Sequence, residues 1–457
     1  MESKTMKKRN YVYLITIVAA IGGFLFGFDT AVISGANPFI KTYFSLSEIG
    51  LGWAVGSLVL GCMVGAAISG ELSDRFGRKR MLIATSIIFA ISAVGSALAT
   101  AFWFFVLSRI ICGTAVGAAS LLSPTYIAEI SPSHIRGRLV SLNQLAITIG
   151  ILVVYFTNYL LVGSGEHNWR YMLGSEVIPA FIFFLLLFLV PESPRWLVKN
   201  NQRDKALKTL TDIGGDDHAM DQLKEIDKTL KEKVKVSLGV LFRKPMGKIM
   251  VLGILLAAFQ QITGINAIIY FAPTIFAKTG IATSSAFLQS VIVGVVNVAF
   301  TFVAIGLIDR AGRKPLMLFG SAGMAISLMV LVGAFALNRL HGFIVLLSVL
   351  GYIASFAASL APVMWVVTSE IYPNKYRGTA MSVSTAISWM CTYLVVQTFP
   401  WMLNQMGGAV AFGVFAILSV VTFIFILIYI PETKGKSLEE IERELGLSTE
   451  EAQKITA

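Results

Sequence analysis

Apolar runs of about twenty residues follow one another along this chain, each the length of helix that crosses ~30 Å of hydrocarbon. No other feature narrows the possible folds so far. Hydrocarbon offers a segment no water, so only helices and closed barrels can satisfy their own backbone there. The alternating ten-residue segments of a barrel are absent from the sequence. The fold class is therefore an all-α membrane protein. Twelve spans are expected, at 11–34, 49–70, 80–99, 102–130, 139–163, 170–190, 248–277, 284–307, 315–337, 342–371, 378–404 and 409–430.

A polar segment divides the spans six and six, which gives four regions. These are an N-terminal six-helix half (1–190), a linker (191–247), a C-terminal six-helix half (248–430) and a tail (431–457). Apolar residues recur at helical spacing from Leu207 to Ile226, so the linker is expected to form short amphipathic helices, and the tail to be partly helical. Charged residues are 14% of the chain, against about 25% in soluble domains. The formal charge of +11 does not point to nucleic acid, because the basic residues gather in loops on one side. Arg75, Arg78, Lys79, Arg80, Arg136, Arg138, Arg310, Arg313, Lys314, Lys375 and Arg377 mark that side, and few (Lys41, Arg170, Lys278, Arg339) mark the other. The basic bias faces the cytoplasm, which puts both termini inside. The first apolar run is too long for a signal-peptide core and has no small-residue cleavage site; it reads as a permanent span. Cys62, Cys112 and Cys391 all lie in apolar segments and read as inert packing residues, with no metal site.

The chain repeats itself. Asp74-Arg75-x-Gly77-Arg78-Lys79 returns as Asp309-Arg310-x-Gly312-Arg313-Lys314, 235 residues on. Glu129-x-x-Pro132-x-x-x-Arg136-Gly137 returns as Glu370-x-x-Pro373-x-x-x-Arg377-Gly378 after 241, and Pro191-Glu192-Ser193 as Pro431-Glu432-Thr433 after 240. Three matches in order at nearly one offset imply two related halves. Such halves hold a substrate near the midplane and rock around it in alternating access. Gly61-x-x-x-Gly65 and Gly113-x-x-x-Gly117 allow close helix approach, and Pro124, Pro273 and Pro362 can kink theirs.

These loop motifs, with Gly27-Phe28-Asp29-Thr30-Ala31-Val32-Ile33-Ser34-Gly35, Pro191-Glu192-Ser193-Pro194-Arg195-Trp196-Leu197 and Pro431-Glu432-Thr433-Lys434-Gly435, resemble the signatures of sugar porters of the major facilitator superfamily. Bacterial proton-coupled xylose and hexose carriers are most similar. The loop motif alone speaks for the superfamily; the last two segments narrow it to sugar porters. The resemblance covers essentially the whole chain and implies the major facilitator fold, with a neutral monosaccharide as cargo and no cofactor beyond a coupling proton.

Asp29, Arg109 and Glu176 fall inside first-half spans, where each costs roughly 2.5–3.5 kcal/mol or more. Asp29 is 18 positions beyond Tyr11 on an outward-running helix, or ~27 Å along it. Arg109 and Glu176 are 7 and 6 positions into inward-running spans, so all three share a depth. Either Asp29 and Arg109 form a permanent pin between helices, or they form a proton switch in which protonating Asp29 breaks the pair and changes the favoured packing. The resemblance implies the switch, because both match residues assigned to proton coupling and passive relatives often have a neutral residue at position 29. Glu176 either tunes the pair or faces the interface.

The second half has no Asp, Glu, Lys or Arg in mid-span. It has Gln260, Gln261, Asn266, Tyr270, Asn297, Trp365 and Trp389, and the fifth span adds Gln144. Amides offer acceptors and donors together, as sugar hydroxyls require, and an indole offers a flat apolar face with one N–H. Helix–helix glue and an interfacial aromatic belt are the alternative uses of such residues. The resemblance implies sugar contacts for all of them, with Phe26 closing over the ring. Ser388 departs from the family's Asn or Gln. Ile151 stands where xylose carriers have Gln and hexose carriers often have Ile, a small lean toward hexose.

The repeated acidic and basic residues Asp74, Arg78, Glu129, Arg136 and Glu192, and Asp309, Arg313, Glu370, Arg377 and Glu432, sit at inner helix ends. They are read as ion pairs closing the inside while the outside is open. No nucleophile–base pair or metal cluster occurs among the four histidines and the span residues, so an enzyme is disfavoured. A sugar sensor is disfavoured by the short tail. A passive sugar facilitator is the serious alternative to a proton symporter. A monomer suffices, embedded in a bacterial-type inner membrane.

Overall fold

The computed structural model describes residues 2–132, 135–231, 238–242, 246–339, 342–373, 376–436 and 440–441. Among the described residues, twelve helices are long and apolar enough to cross a membrane. The first five are α1 (Glu2–Tyr43), α2 (Glu48–Phe76), α3 (Arg78–Leu98), α4 (Phe102–Ile130) and α5 (Arg136–Leu161). The sixth span is split into α6 (Asn168–Gly174) and α7 (Val177–Leu187). Four short helices fill the linker: α8 (Pro194–Lys199), α9 (Arg203–Gly214), α10 (Asp216–Lys231) and α11 (Leu238–Leu241). The seventh span is α12 (Met246–Ile262) plus α13 (Ile265–Ala277), followed by α14 (Thr283–Ala311) and α15 (Arg313–Ala336). The tenth is α16 (Gly342–Ala357) plus α17 (Leu360–Ile371). α18 (Arg377–Trp401) ends in a π turn, Met402–Met406, and α19 (Gly408–Tyr429) is last.

The spans match the expected ones to within a few residues at most ends. The exceptions are the first, which stays helical to Tyr43 through Pro38, and the second, which runs on to Phe76. Of the tail, Glu440 and Ile441 are helical; 437–439 and 442–457 lie outside the described residues.

Three spans break, each for a local chemical reason. Pro179 has no N–H for the carbonyl of Ser175, and the chain tightens there, with the Ile178 N–H bonding Ser175 O at 3.2 Å. Gly264 adopts a left-handed conformation (φ 97°) that ends α12, a geometry glycine accepts without steric cost. The tenth span breaks at Ser359 (φ −137°, ψ −89°), three residues before Pro362. Pro273 similarly accompanies a non-helical Phe271 (φ −123°, ψ 18°) inside α13. α4 runs unbroken through Pro124.

By compactness the chain divides into two units. One comprises Met1–Val32, Leu60–Val154 and Arg170–Val234; the other comprises Ile33–Val59, Tyr155–Trp169 and Lys235–Ala457. The boundaries cut through α1, α2 and α5, so the far ends of these helices group with the second-half spans.

In the first unit the small-residue pattern brings backbones together. A Cβ at Gly61 would stand 2.0 Å from the carbonyl oxygen of Ile110, and one at Gly65 2.1 Å from that of Thr114. From the other side, a Cβ at Gly117 would stand 2.1 Å from the carbonyl of Cys62. α2 and α4 therefore pack backbone to backbone. The linker helices enclose a small core of Trp196, Leu197, Ala206, Leu210, Ala219 and Leu223. In the second unit a core of Ile249, Leu256, Met317, Val363, Val367 and Ile371, with others, joins α12, α15 and α17.

Candidate functional site

Asp29, Arg109 and Glu176 come together in the first unit. All three are buried, at 0%, 1% and 1% exposure. Arg109 Nη1 donates to Asp29 Oδ1 at 2.6 Å and Nη2 to Oδ2 at 3.3 Å, a fork on a carboxylate. Glu176 sits at the break of the sixth span, just before α7. One carboxyl oxygen each from Asp29 and Glu176, and the sulfur of Cys112, lie within 4.8 Å of one another. Two carboxyls and one guanidinium thus lie in one buried cluster, with Asp29 bonded to the guanidinium. With both ionised the cluster carries one net negative charge, and it is neutral with one proton bound. Cys112 corrects the reading of the cysteines as inert packing: its thiol donates to Asp29 Oδ1 at 3.3 Å. Spacing could have found it, since Cys112 stands one turn beyond Arg109 on the same helix face.

The amides of the second unit form a directed chain at the Gly264 break. Asn266 Nδ2 donates to Gln261 Oε1 (2.7 Å), Gln261 Nε2 to Gln260 Oε1 (2.9 Å), and Gln260 Nε2 to the carbonyl of Leu360 (2.9 Å) at the start of α17. The chain ties the break of the seventh span to the break of the tenth. Gln260 is buried, whereas Gln261 and Asn266 are half-buried, so Gln260 serves the backbone and the other two keep accessible surface. Asn266 Nδ2 also stands 3.5 Å from Thr392 Oγ1, which donates to the carbonyl of Ser388 (3.0 Å). This brings Ser388 into the group by its backbone; its side chain is buried. Asn297 on α14 is buried, and Trp365 on α17 and Trp389 on α18 are half-buried. Tyr270 is buried, and its carbonyl accepts from Asn37 Nδ2 at 2.8 Å. Phe26 on α1 and Gln144 on α5 belong to the first unit, and both are half-buried.

Asn37 reveals a contact that sequence reasoning missed. Pro273 leaves the carbonyl four residues back, that of Ile269, without a helical donor, and the Tyr155 hydroxyl donates to it at 2.8 Å. Within the second unit, residues of α1 and α5 thereby take two adjacent carbonyls at the kink of α13.

The repeated motifs build the same device twice. Arg78 pairs with Glu129 (Nε–Oε2 3.0 Å) and with Asp74 (Nη2–Oδ1 2.8 Å), and Ser193 Oγ donates to Glu129 Oε2. Arg313 pairs with Glu370 at 3.2 Å, and Thr433 Oγ1 donates to Glu370 Oε2 at 2.5 Å. Both pairs join spans of a single half. Glu192 and Glu432, expected in ion pairs, instead cap helix N-termini. Glu192 Oε1 accepts from the N–H groups of Arg78 (2.9 Å) and Lys79 (3.1 Å) at the start of α3. Glu432 accepts from Arg313 (3.0 Å) and Lys314 (3.1 Å) at the start of α15. Orphan N–H groups and the helix dipole favour a carboxylate there. Burial alone raises the Glu432 pKa, but the backbone N–H groups of Lys434, Arg313, Lys314 and Thr433 outweigh it and hold the carboxyl below its ordinary range. The motif glycines make room for these caps. Gly77 and Gly312 have φ of 102° and 92°, and a Cβ at either would lie 2.3 or 2.6 Å from Glu192 or Glu432 Oε2. Arg377 Nε donates to the carbonyl of Tyr372 at 3.3 Å, and the buried Arg136 Nε has no hydrogen-bond partner among the described residues. The side chain of Asp309 lies outside the described residues.

A family model described as "Sugar (and other) transporter" matches residues 15–445. The chain belongs to the sugar transporter family. Among relatives of this sugar transporter, an arabinose-proton symporter of Bacillus subtilis is 43% identical over 439 residues, covering 95% of both chains. A D-xylose-proton symporter of Escherichia coli is 42% identical, covering 96% of both. The solved structure of the xylose transporter XylE from Escherichia coli in an inward-open conformation superposes with a TM-score of 0.85 at 41% identity, over 95% of this chain and all of that one. The twelve-span, all-helical fold of the major facilitator type is thereby established for this transporter.

Proposed function

We propose that this transporter carries a neutral monosaccharide together with one proton into the cell by alternating access between two six-helix halves. The observation that carries the proton half of this reading is the Asp29–Arg109–Glu176 cluster, where Arg109 pairs with buried Asp29 and a second buried carboxyl lies beside Asp29. Protonation removes the charge that holds Arg109, so the cluster can bias two packings of the spans around it. The amide chain Asn266–Gln261–Gln260 supports the sugar half, because it presents donors and acceptors with no fixed charge. Phe26, Gln144, Tyr270, Asn297, Trp365, Ser388 and Trp389 complete the proposed sugar site, and no metal or organic cofactor takes part. The paired Arg–Glu networks are the proposed cytoplasmic braces, and both termini face the cytoplasm. A monomer is sufficient.

The relatives named for arabinose and xylose weigh more than the single Ile151 position, since small differences in a pocket discriminate weakly. An aldopentose is therefore the first cargo to assay, and an aldohexose the second. Uptake into proteoliposomes of a panel of pentoses and hexoses, with and without an imposed inward proton gradient, tests the reading. Accumulation of one sugar above its outside concentration, dependent on the gradient, is expected. Equal uptake with and without the gradient would instead assign passive facilitation.

A further inference from the structure

Cys112 stands between the two carboxyls of the cluster. It is one turn beyond Arg109 on α4, and its side chain is 1% exposed. Its sulfur is 3.3 Å from Asp29 Oδ1, the oxygen that also accepts from Arg109 Nη1 at 2.6 Å. The same sulfur is 4.0 Å from Glu176 Oε1. A thiol has one proton to donate, so it can serve one carboxyl at a time. The remaining surroundings offer little competition: the Ser92 hydroxyl of α3 lies beside the sulfur, and the Cys62 thiol of α2 lies within electrostatic reach of Asp29 and Arg109. Among the described residues Arg109 Nε is buried without a hydrogen-bond partner; the guanidinium gives Asp29 two hydrogen bonds through Nη1 and Nη2, and the thiol is a third donor to that carboxyl.

We propose that Cys112 is a positioning residue of the proton-coupling cluster, its S–H holding ionised Asp29 and turning to Glu176 when Asp29 takes the proton. The thiol keeps its own proton throughout. The S–H turns about the Cβ–Sγ bond while the sulfur stays in place, so no bond to sulfur is made or broken. This inference rests on the reading of Asp29, Arg109 and Glu176 as the coupling cluster. In the ionised state the thiol holds the Asp29 carboxylate from 3.3 Å; in the protonated state it has only the more distant Glu176 oxygen, 4.0 Å away, so its hydrogen bond favours the ionised state over the protonated one. It therefore sets the pH at which the coupling proton is loaded.

The test measures gradient-driven sugar uptake in proteoliposomes across external pH, with sugar counterflow at each pH as the reference. Removing a donor from the ionised form lets the cluster keep its proton to higher pH. Cys112→Ala is expected to move the midpoint of driven uptake alkaline by roughly half to one pH unit, and Cys112→Ser, which restores a donor, to bring it back toward wild type. An unchanged midpoint in Cys112→Ala overturns the proposal. A second measurement needs no change at position 112. In a Cys62→Ala/Cys391→Ala background, the infrared S–H stretch of Cys112 is expected to shift in step with the transport midpoint and to lose that shift in Asp29→Asn. A band that ignores pH overturns the proposal even if the alanine variant fails to fold. Failure of the underlying reading has a different signature, which is normal uphill accumulation in Asp29→Asn.

Discussion

Replacing Asp29 by Asn separates coupling from sugar movement. In the wild type the cluster carries one positive and two negative groups, so it needs one proton to be neutral. In Asp29→Asn it carries one of each, Arg109 and Glu176, and neutrality no longer requires a proton. The driving force lost is large. One charge crossing 100 mV supplies about 2.3 kcal/mol, or roughly fifty-fold accumulation, and this is expected to fall to equilibration. The fold should survive the change. Removing one member of a buried pair costs about 3–5 kcal/mol when the other is left uncompensated, but here the second carboxyl lies within 4.8 Å of the first and remains as a counter-ion. The double variant Asp29→Asn/Glu176→Gln removes both carboxylates and is expected to pay that full cost. Proteoliposome accumulation, counterflow and thermal unfolding of all three proteins make the comparison. Counterflow should persist in Asp29→Asn. Uphill accumulation by Asp29→Asn would refute the charge argument. A double variant as stable as Asp29→Asn would refute the role given to Glu176.

Four further outcomes follow from the geometry. Arg78→Ala leaves Glu129 (10% exposed) without its cation, whereas Arg313→Ala leaves the more exposed Glu370 (28%); the first should lower the unfolding temperature by more, at about 2–4 kcal/mol against roughly half that. Because the Glu432 carboxyl is held below its ordinary range, its contribution is present above the unfolded value near 4.3 and lost as pH falls through the lower folded value. Glu432→Gln should thus be less stable than wild type at pH 7, and the difference should shrink on acidification below about pH 4, as read by thermal unfolding. Gly27→Ala would drive a Cβ to within 1.9 Å of the Ile147 carbonyl oxygen, so folded yield should collapse, while Gly137→Ala, with nothing within 4 Å of the added carbon, should behave as wild type. Tyr155→Phe removes the donor to the Ile269 carbonyl. A net hydrogen bond of about 1 kcal/mol corresponds to roughly a fivefold shift in a conformational equilibrium, measurable as faster labelling of a cysteine introduced at Ala277.

The spans and their repeat could be read directly from the chain because both rest on local rules. An apolar run of fixed length crosses a membrane whatever surrounds it, and a glycine whose φ must be positive leaves the same mark at 77 and at 312. The depth of Asp29, Arg109 and Glu176 followed from counting residues along the helix axis. Counting does not fix the direction in which a side chain points across the bundle. Glu176 could be read as tuning the pair or facing the interface; Pro179 marks the break locally, but that the Glu176 carboxyl lies beside Asp29 and Cys112 is a matter of packing. Glu192 and Glu432 looked like ion-pair partners, yet their carboxylates take backbone N–H groups that only the start of a neighbouring helix could bring to them.

By itself, then, the sequence determined how many times the chain crosses the membrane, that it does so as two related sets of six, and which buried charges must find partners, since each is a property of length, period or desolvation. The tertiary structure decided the partners: one carboxylate, Asp29, held by a guanidinium and a thiol, three amides strung from one helix break to another, and two adjacent carbonyls at the Pro273 kink taken by Tyr155 and Asn37. Hydrogen bonds act over about 3 Å, and which side chains come that close is settled by how helices pack.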